Sequence, residues 1–354
     1  MTPFFDASAL LLEQAKVYPL FTPQDVYKLL YQAAFGCEHL IASPCAVEER
    51  LAEEYAAVAP YLEEKIESLG DGYGRLYLGY MKKGLTAKTI AGLLLASAKK
   101  EDGIAALEKG LALALSLAKE GKLPFSAEAL LAEWEMRKRE GYPSCRHSEA
   151  YRAAYHPAYR VVANRYLLYL PLLLRLDRML AKDRVVLAIE GGSAAGKTTL
   201  AALLERLYGA TVLHMDDYFL RPTQRTRARL SEPGGNVDRE RVLSEILLPL
   251  SQGASAITYA PYSCQSGALL PPVTVTPAPL TVIEGAYSMH PLLQPYYTLS
   301  VFLDVPPSLQ RERIKKRNTP QHAKRFFEEW IPMEEAYRQT FAIQEKCDIV
   351  IPVQ

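Results

Sequence analysis

Apolar residues recur at three- and four-residue spacing through the first half of the chain, the pattern of helices that bury one face. This spacing predicts helices, separated by Gly, Pro or Asn/Asp breaks, over residues 7–17, 23–35, 46–57, 60–69, 87–98, 101–120 and 126–140. A last helix is predicted over 159–179, before a boundary near residues 181–183. We therefore expect an all-α domain over residues 1–180.

The pattern changes after this boundary, where short β-branched runs alternate with helical stretches. Strands are predicted over 185–189, 211–214, 256–259, 281–283, 300–304 and 348–351. Such alternation is typical of an α/β fold, in which helices cover both faces of a parallel sheet and ligands bind at the carboxyl ends of its strands. Residues 181–354 are expected to form this second domain.

One loop of the second domain carries the strongest chemical signal. Two glycines four residues apart, then Lys and Thr, lie between a predicted strand and a predicted helix, and this pattern predicts a P-loop NTPase sheet. Backbone N–H groups at the start of such a helix bind phosphates, and we expect ATP here, with Lys197 on the β- and γ-phosphates and Thr198 on Mg²⁺. The expected ATP-binding residues are Gly191, Gly192, Ser193, Ala194, Ala195, Gly196, Lys197, Thr198 and Thr199.

Carboxylates follow two other predicted strands. Asp216 and Asp217 come after the strand at 211–214, and Glu284 comes directly after the strand at 281–283. Carboxylates beside a phosphate loop suit a base for an acceptor hydroxyl and a magnesium site. We assign Asp216 as the base and, with Glu284, as a magnesium ligand. The alternatives are that the aspartates cap the next turn and that Glu284 is a surface charge.

A basic helix is predicted over residues 311–317. Arg313 and Arg317 lie four residues apart and therefore share one helix face. Arginines on a mobile helix can close over a transferring phosphoryl group and neutralise its charge, so we expect both to act in catalysis with Lys197. A solvated helix face is the alternative interpretation.

Together these motifs resemble the uridine kinase and phosphoribulokinase family of P-loop small-molecule kinases. The resemblance covers about residues 184–354 and is carried by the segments 191–199, 215–219, 284–285 and 311–317. It implies that Asp216 is the acceptor base, and that Thr198, Asp216 and Glu284 hold magnesium. It also implies that the two arginines contact the phosphates and that Asp238 meets the hydroxyls of the acceptor.

The acceptor itself is less defined. Tyr218 and Tyr262 are expected to contact it, but the segment 262–267 keeps only the tyrosine of the Tyr, Asp and His with which uridine kinases recognise the pyrimidine. The alternatives are another nucleoside, a sugar, glycerate, a pantothenate-like molecule or a vitamin. Six arginines over residues 221–241 would favour an acceptor that bears a phosphate or carboxylate, unless they only form a solvated loop.

The charge balance and the cysteine content limit the classes of partner and the cell compartment that we expect. The 41 basic and 40 acidic residues almost cancel, which excludes the strong field expected of a protein that binds nucleic acid or an anionic membrane surface. Five scattered cysteines and a start without a secretion signal predict a cytoplasmic protein with reduced thiols. The expected partner is a small hydroxyl-bearing molecule, with a homo-oligomer as a further hypothesis.

The first domain does not reveal its role. Tyr151, Tyr155 and Tyr159 recur every four residues beside arginines, a spacing that indicates either helix packing or a ligand-facing surface. We hypothesise that this domain covers the acceptor site or forms an interface between copies.

The sequence therefore predicts an ATP-dependent kinase of a small metabolite. The alternatives are a nucleotide-dependent regulatory switch that controls the helical domain, and a degenerate kinase that only binds ligands.

Overall fold

The structure, a computed structural model, describes residues 7–36, 44–70, 72–98 and 103–353. The chain divides into two compact units, Met1–Leu170 and Pro171–Gln354. Helix 170–180, which the sequence pattern placed before the boundary, therefore belongs almost wholly to the second unit. No helix among the described residues is long and apolar enough to cross a membrane.

The first unit is mainly helical, as the apolar spacing predicts. Its helices are α1 (Ala7–Val17), α2 (Pro23–Phe35), α3 (Pro44–Val58), α4 (Ala87–Ser97), α5 (Ile104–Lys119), α6 (Ala127–Arg139), α7 (Glu149–Tyr155) and α8 (Asn164–Leu167). Residues 101–102, the first of the predicted helix 101–120, lie outside the described residues.

The prediction of an entirely helical domain is wrong where strands form. The helix expected over 60–69 is instead a short 3₁₀ turn, Ala59–Tyr61, followed by a strand. An antiparallel sheet joins β1 (Ile66–Ser68), β2 (Tyr73–Tyr77) and β3 (Tyr159–Ala163) in that order. Helix α7 ends at Tyr155; the next residue, His156, has a left-handed φ of 42°, and Pro157 follows it. Tyr159 then continues the four-residue tyrosine spacing on a strand, so the apparent helix 159–179 was wrong at its start.

A closed network of polar side chains lies inside the first unit. The guanidinium of Arg75 is fully buried, donates to Glu67 at 2.8 Å, and also donates to Gln32 at 2.9 Å. His147 Nδ1 lies 2.7 Å from Asp25, and its Nε2 lies 2.6 Å from the hydroxyl of Tyr159. Buried charges are tolerated when each has a partner, so the network fixes the relative positions of the elements it joins.

The tyrosines singled out in the sequence take part in this packing. Tyr151 is almost fully buried and stacks on His147 with ring centroids 4.1 Å apart. Tyr155 packs against Tyr18 and accepts a hydrogen bond from the backbone of Leu20. These contacts within the first unit support the packing interpretation of the tyrosine spacing.

The network makes the first unit sensitive to acid. Burial lowers the pKa of His147 to about 4, so this side chain is neutral at pH 7. Burial alone would raise the pKa of Asp25, but hydrogen bonds from His147, Ser148 and Thr22 outweigh it and lower the pKa to about 2. The stability due to neutral His147 is complete above pH 6.5 and is lost as the pH falls towards 4, whereas that due to ionised Asp25 is lost from about pH 4 towards 2.

We predict that the free energy of unfolding of the first unit falls by roughly 3 kcal/mol between pH 7 and pH 4. In this range the unfolded chain binds a proton at His147, whereas the folded unit keeps the side chain neutral. A Trp330→Phe background leaves Trp134 as the only tryptophan, so its fluorescence during urea unfolding reports the first unit. His147→Gln should lower stability at pH 7 but flatten the pH dependence above pH 4. Equal pH dependence in both proteins would contradict this account.

The second unit is built on a parallel sheet of five strands. Its strands are β4 (Val185–Gly191), β5 (Thr211–His214), β10 (Leu280–Glu284), β11 (Leu299–Asp304) and β12 (Ile349–Pro352), in the order β12-β11-β4-β10-β5. All four pairings are parallel. This confirms the predicted α/β fold class.

The helices of this unit surround the sheet. They are α9 (Leu170–Leu180), α10 (Lys197–Tyr208), α11 (Arg227–Ser231), α12 (Arg239–Arg241), α13 (Leu248–Ser251), α14 (Pro307–Arg317), α15 (Pro320–Arg325), α16 (Ile331–Phe341) and α17 (Ile343–Lys346). Ala188, Ile283 and Phe302 belong to one buried cluster with side chains from 242–247 and 337–343. Helix α10 contacts β4, β5 and β10, and side chains alternate across a strand, so both faces of the sheet bury apolar residues.

One predicted strand lies outside the parallel sheet. The strand expected at 256–259 is β6 (Ile257–Tyr259), which pairs antiparallel with β9 (Val273–Val275). A second small ribbon pairs β7 (Tyr262–Ser263) with β8 (Ala268–Leu269). Short connections allow antiparallel ribbons, whereas joining the parallel sheet requires a longer crossover.

Candidate functional site

The glycine loop follows β4 and ends where α10 begins. Gly191 has a φ of 147°, and a Cβ atom there would lie 2.7 Å from the carbonyl oxygen of Leu303. Only glycine fits such a close approach without displacing the neighbouring strand. Helix α10 begins at Lys197, directly after the left-handed Gly196. Its first N–H groups lack intrahelical acceptors, so the helix end and the loop together suit an anion.

A buried carboxylate supports the base of the loop. Glu190 is only 2% exposed and accepts hydrogen bonds from the backbone N–H groups of Gly191, Tyr287 and Met289. Burial raises the pKa of Glu190 to about 7, although these hydrogen bonds act in the opposite direction. Glu190 therefore links the first residue of the loop to the segment that follows β10.

Lys197 is folded back onto its own loop. Its Nζ atom donates to the carbonyl oxygens of Gly191 at 2.8 Å and Gly192 at 3.0 Å. Lysine is a flexible point charge with three donors, so the same ammonium can turn from these carbonyls to an incoming phosphate.

Thr198 and Glu284 meet across the sheet edge. The hydroxyl of Thr198 donates to Glu284 Oε1 at 2.9 Å, and His214 Nδ1 lies 2.7 Å from the same oxygen. Burial would raise the pKa of Glu284, but the hydrogen bonds from His214 and Thr198 outweigh it and hold the pKa below its usual value. The hydrogen bond to Glu284 in turn raises the pKa of His214. Glu284 is therefore ionised at neutral pH, and its carboxylate oxygens could bind a cation.

Asp216 lies in a short 3₁₀ turn, Met215–Tyr218, directly after β5. Its side chain is exposed at the site, yet the surrounding protein reduces its hydration and raises its pKa, and the charge of Glu284 adds to this effect. The charges of Lys197, His214 and Arg317 act in the opposite direction. Asp216 thus shares an electrostatic environment with the phosphate loop and the carboxylate at the end of β10.

The two arginines of α14 lie against the loop side of the site. Arg313 donates to the carbonyl oxygen of Ala194 at 3.3 Å. The guanidinium of Arg317 lies 5.4 Å from the ring centre of Phe326, and its charge reaches Asp216. Ile314, between them, is fully buried in a cluster with Ala323 and Phe326. The helix is therefore packed onto the second unit at the level of these arginines.

Three of the expected acceptor contacts are turned inward. Tyr218 is 1% exposed, and its hydroxyl has no hydrogen-bond partner among the described residues. Asp238 is 2% exposed, accepts from Gln224 at 2.7 Å and caps the backbone of Arg241. Tyr262 is 5% exposed and accepts from Arg225. All three side chains are therefore buried within the second unit rather than exposed on an open surface.

The arginine-rich segment is largely neutralised from within. Arg229 pairs with Glu240, Arg239 with Glu232, and Arg241 with Glu245, each at 2.6–2.8 Å. Arg221, Arg225 and Arg227 are exposed. These internal ion pairs weaken the case that six arginines together select an anionic acceptor.

Sequence reasoning missed four polar side chains of the site: Glu190, His214, Gln310 and Glu334. Glu190 is the penultimate residue of β4 and His214 is the last residue of β5, so their position at the carboxyl edge of the sheet was a usable signal. Gln310 donates to the carbonyl oxygen of Ser193 at 2.9 Å, and Glu334 accepts from the backbone N–H of Ser193 at 2.8 Å. Gln310 and Glu334 lie on helices that are distant from the loop in the chain, and no local sequence pattern predicts their contact with Ser193.

A cavity of about 390 Å³ adjoins the loop. It is bounded by Gly191 and Gly192, by Pro306 and Gln310 at the start of α14, and by Val353 after β12. Its place at the carboxyl ends of β4, β11 and β12 matches the position at which parallel sheets of this class bind ligands.

The second unit thus places a glycine loop between the central strand of a five-stranded parallel sheet and the helix that follows it. Solved structures similar to the chain include a possible uridine kinase from Bacillus stearothermophilus, with 22% identity, 51% of this chain and 99% of that chain covered, and a TM-score of 0.39. A shikimate kinase from Acinetobacter baumannii has 18% identity, 48% and 84% coverage and a TM-score of 0.27. One from Bacteroides thetaiotaomicron has 14% identity, 48% and 86% coverage and a TM-score of 0.26. No family model and no curated protein matches the chain.

We predict that Gly285→Ala destabilises the second unit by roughly 2–4 kcal/mol, because φ is 147° there and the new Cβ would meet Met215 Cβ at 2.4 Å. Gly253→Ala is the matched control, since its φ is also positive but nothing lies within 4 Å, so it should cost about 1 kcal/mol. Urea unfolding followed by Trp330 fluorescence in a Trp134→Phe background measures both. Equal losses would show that the contact with Met215 contributes nothing.

Proposed function

We propose that this protein transfers the γ-phosphoryl group of ATP to a hydroxyl of a small metabolite. The observation that carries the proposal is the convergence of three groups at one sheet edge. The phosphate loop follows β4, Glu284 ends β10, and Asp216 follows β5. A protein that only binds or hydrolyses a nucleotide has no need of an acceptor base beside its phosphate loop, so the location of Asp216 favours a kinase over a switch.

The residues of the loop would bind the triphosphate. Backbone N–H groups from Gly196 to Thr199, together with Lys197, would supply the positive environment that phosphates need. We assign the 390 Å³ cavity beside the loop to the nucleoside part of ATP, because it adjoins Gly191 and is open to the same edge of the sheet. Arg313 and Arg317 would neutralise charge on the phosphates after small side-chain movements.

The oxygen ligands near Thr198 fit magnesium. The Thr198 hydroxyl and the ionised Glu284 carboxylate lie 2.9 Å apart, and Asp216 adds a second carboxylate nearby. Among the described residues no group of three or more His, Cys, Asp or Glu could hold a metal by itself. Mg²⁺ commonly uses one or two carboxylates, water and substrate phosphates, and when bound it would neutralise phosphate charge.

Asp216 would orient the acceptor hydroxyl and accept its proton as the oxygen attacks phosphorus. Phosphoryl transfer needs mainly positioning and charge neutralisation, so this one base and the loop suffice for the chemistry. The acceptor remains one of the hydroxyl compounds considered above. Tyr218, Asp238 and Tyr262 are buried, so they would shape the acceptor region through packing.

The test is ATP consumption with Mg²⁺ across pooled nucleosides, sugars, hydroxy acids and vitamins, with mass spectrometry for a product heavier by one phosphoryl group. We predict that Asp216→Asn lowers acceptor-dependent turnover by about 10²–10⁴-fold while ATP still binds. Asp217→Asn is the matched control and should retain turnover. ATP binding without an acceptor-dependent product in the wild type would favour the regulatory switch.

We also predict that Glu284→Gln raises the Mg²⁺ concentration needed for tight binding of ATP by about tenfold, because the ionised oxygen ligand is lost. Titration of a fluorescent ATP analogue with Mg²⁺ measures this directly. Glu205→Gln removes the same negative charge from an exposed residue of α10 and should leave the Mg²⁺ dependence unaltered. The ligand role of Glu284 is excluded if both variants behave alike.

A further inference from the structure

Ser193 is held at all three of its polar groups by side chains from two distant helices. Its backbone N–H donates to Glu334 Oε2 at 2.8 Å, and its hydroxyl donates to Glu334 Oε1 at 2.5 Å. Its carbonyl oxygen accepts from Gln310 Nε2 at 2.9 Å. Gln310 lies on α14 and Glu334 on α16. The third residue of the loop is thus held by side chains of the same unit.

Helix α16 reaches the loop at a second point. Tyr337, three residues after Glu334, donates its hydroxyl to Glu190 Oε2 at 3.2 Å. Glu190 in turn accepts from the N–H of Gly191 at 2.9 Å. Residues three apart share a helix face, so one face of α16 supports both the first and the third residue of the loop.

Gly192, which lies between Gly191 and Ser193, has little room for a side chain. A Cβ atom on Gly192 would meet Gln310 Nε2 at 2.9 Å and Glu334 Oε2 at 3.5 Å. The two side chains therefore close over Gly192 as they hold Ser193. Ala194, the next residue, has a φ of 61°, a conformation that surrounding contacts must maintain.

We propose that Glu334 and Gln310 are positioning residues that pre-shape the phosphate loop through Ser193. The inference rests on the proposed function, because the benefit of a fixed loop is tighter binding of the triphosphate. A loop already held in its binding geometry loses less conformational entropy when phosphate binds. The carboxylate of Glu334 accepts two hydrogen bonds from one residue, which fixes the direction of both donors.

The carboxylate of Glu334 could also weaken ATP binding, and the experiment must distinguish this effect from positioning. An anionic carboxylate near Lys197 repels a triphosphate, and loss of hydration raises the pKa of Glu334. If repulsion or competition for the Ser193 N–H dominated, removal of Glu334 would tighten ATP binding. Positioning predicts weaker binding, so the sign of the change decides between the two.

The test compares Glu334→Ala, Glu334→Gln and Ser193→Ala in the full chain. Glu334→Ala should weaken binding of a fluorescent ATP analogue by about tenfold, and Glu334→Gln should recover part of it because its amide oxygen still accepts one hydrogen bond. In the double variant Ser193→Ala, Glu334→Ala the losses should be less than additive. Glu328→Gln is the charge control, since this residue is 62% exposed and pairs only loosely with Lys324 at 3.7 Å.

Amide hydrogen exchange without nucleotide gives an independent readout. Glu334→Ala should speed exchange in the peptide that contains residues 190–198 and leave β10 and β11 unchanged, whereas a merely structural role would speed exchange throughout the sheet. Unchanged or tighter ATP binding, or unchanged exchange at the loop, would overturn the proposal. Should the wild type bind no ATP, the proposed function fails, and loop exchange alone decides whether Glu334 positions Ser193.

Discussion

Parallel pairing of β10 between β4 and β5 is the constraint on which the candidate site depends. Glu284 is aligned with His214 on one side and Ile189 on the other. Because all three strands run in the same direction, their carboxyl ends open at one edge. Thr198 and Glu284 are 86 residues apart in the chain, yet their side chains meet at 2.9 Å. A slip of one residue in this register would turn Glu284 to the opposite face.

The helices beyond the sheet add a second level of organisation. Helix α14 carries Arg313 and Arg317. The same helix is packed onto the unit through the buried Ile314 and donates a hydrogen bond to the loop through Gln310. Helix α16 contributes Glu334 and Tyr337 to the support of the same loop. The loop is therefore part of a polar framework within the second unit rather than a free connection.

Much of this organisation could be predicted from local sequence. The glycine spacing, the strand before it and the acids at strand ends depend on neighbouring residues, and these predictions agree with the positions of β4, α10, β5 and β10. The strand β3 could not be distinguished from a helix, because Tyr159 continued a helical spacing and only His156 and Pro157 signalled the break. The contacts of Gln310 and Glu334 with Ser193 depend on long-range packing, which single-sequence periodicity does not encode.

The most direct measurement is a crystal structure with Mg²⁺ and a non-hydrolysable ATP analogue. The account predicts the β-phosphate on the N–H groups that begin α10, the ion beside Thr198 and Glu284, and the carboxylate of Asp216 facing the γ-phosphate across a space open to an acceptor. A triphosphate bound away from the loop, or Asp216 directed away from the γ-phosphate, would contradict the assignment of this site to phosphoryl transfer.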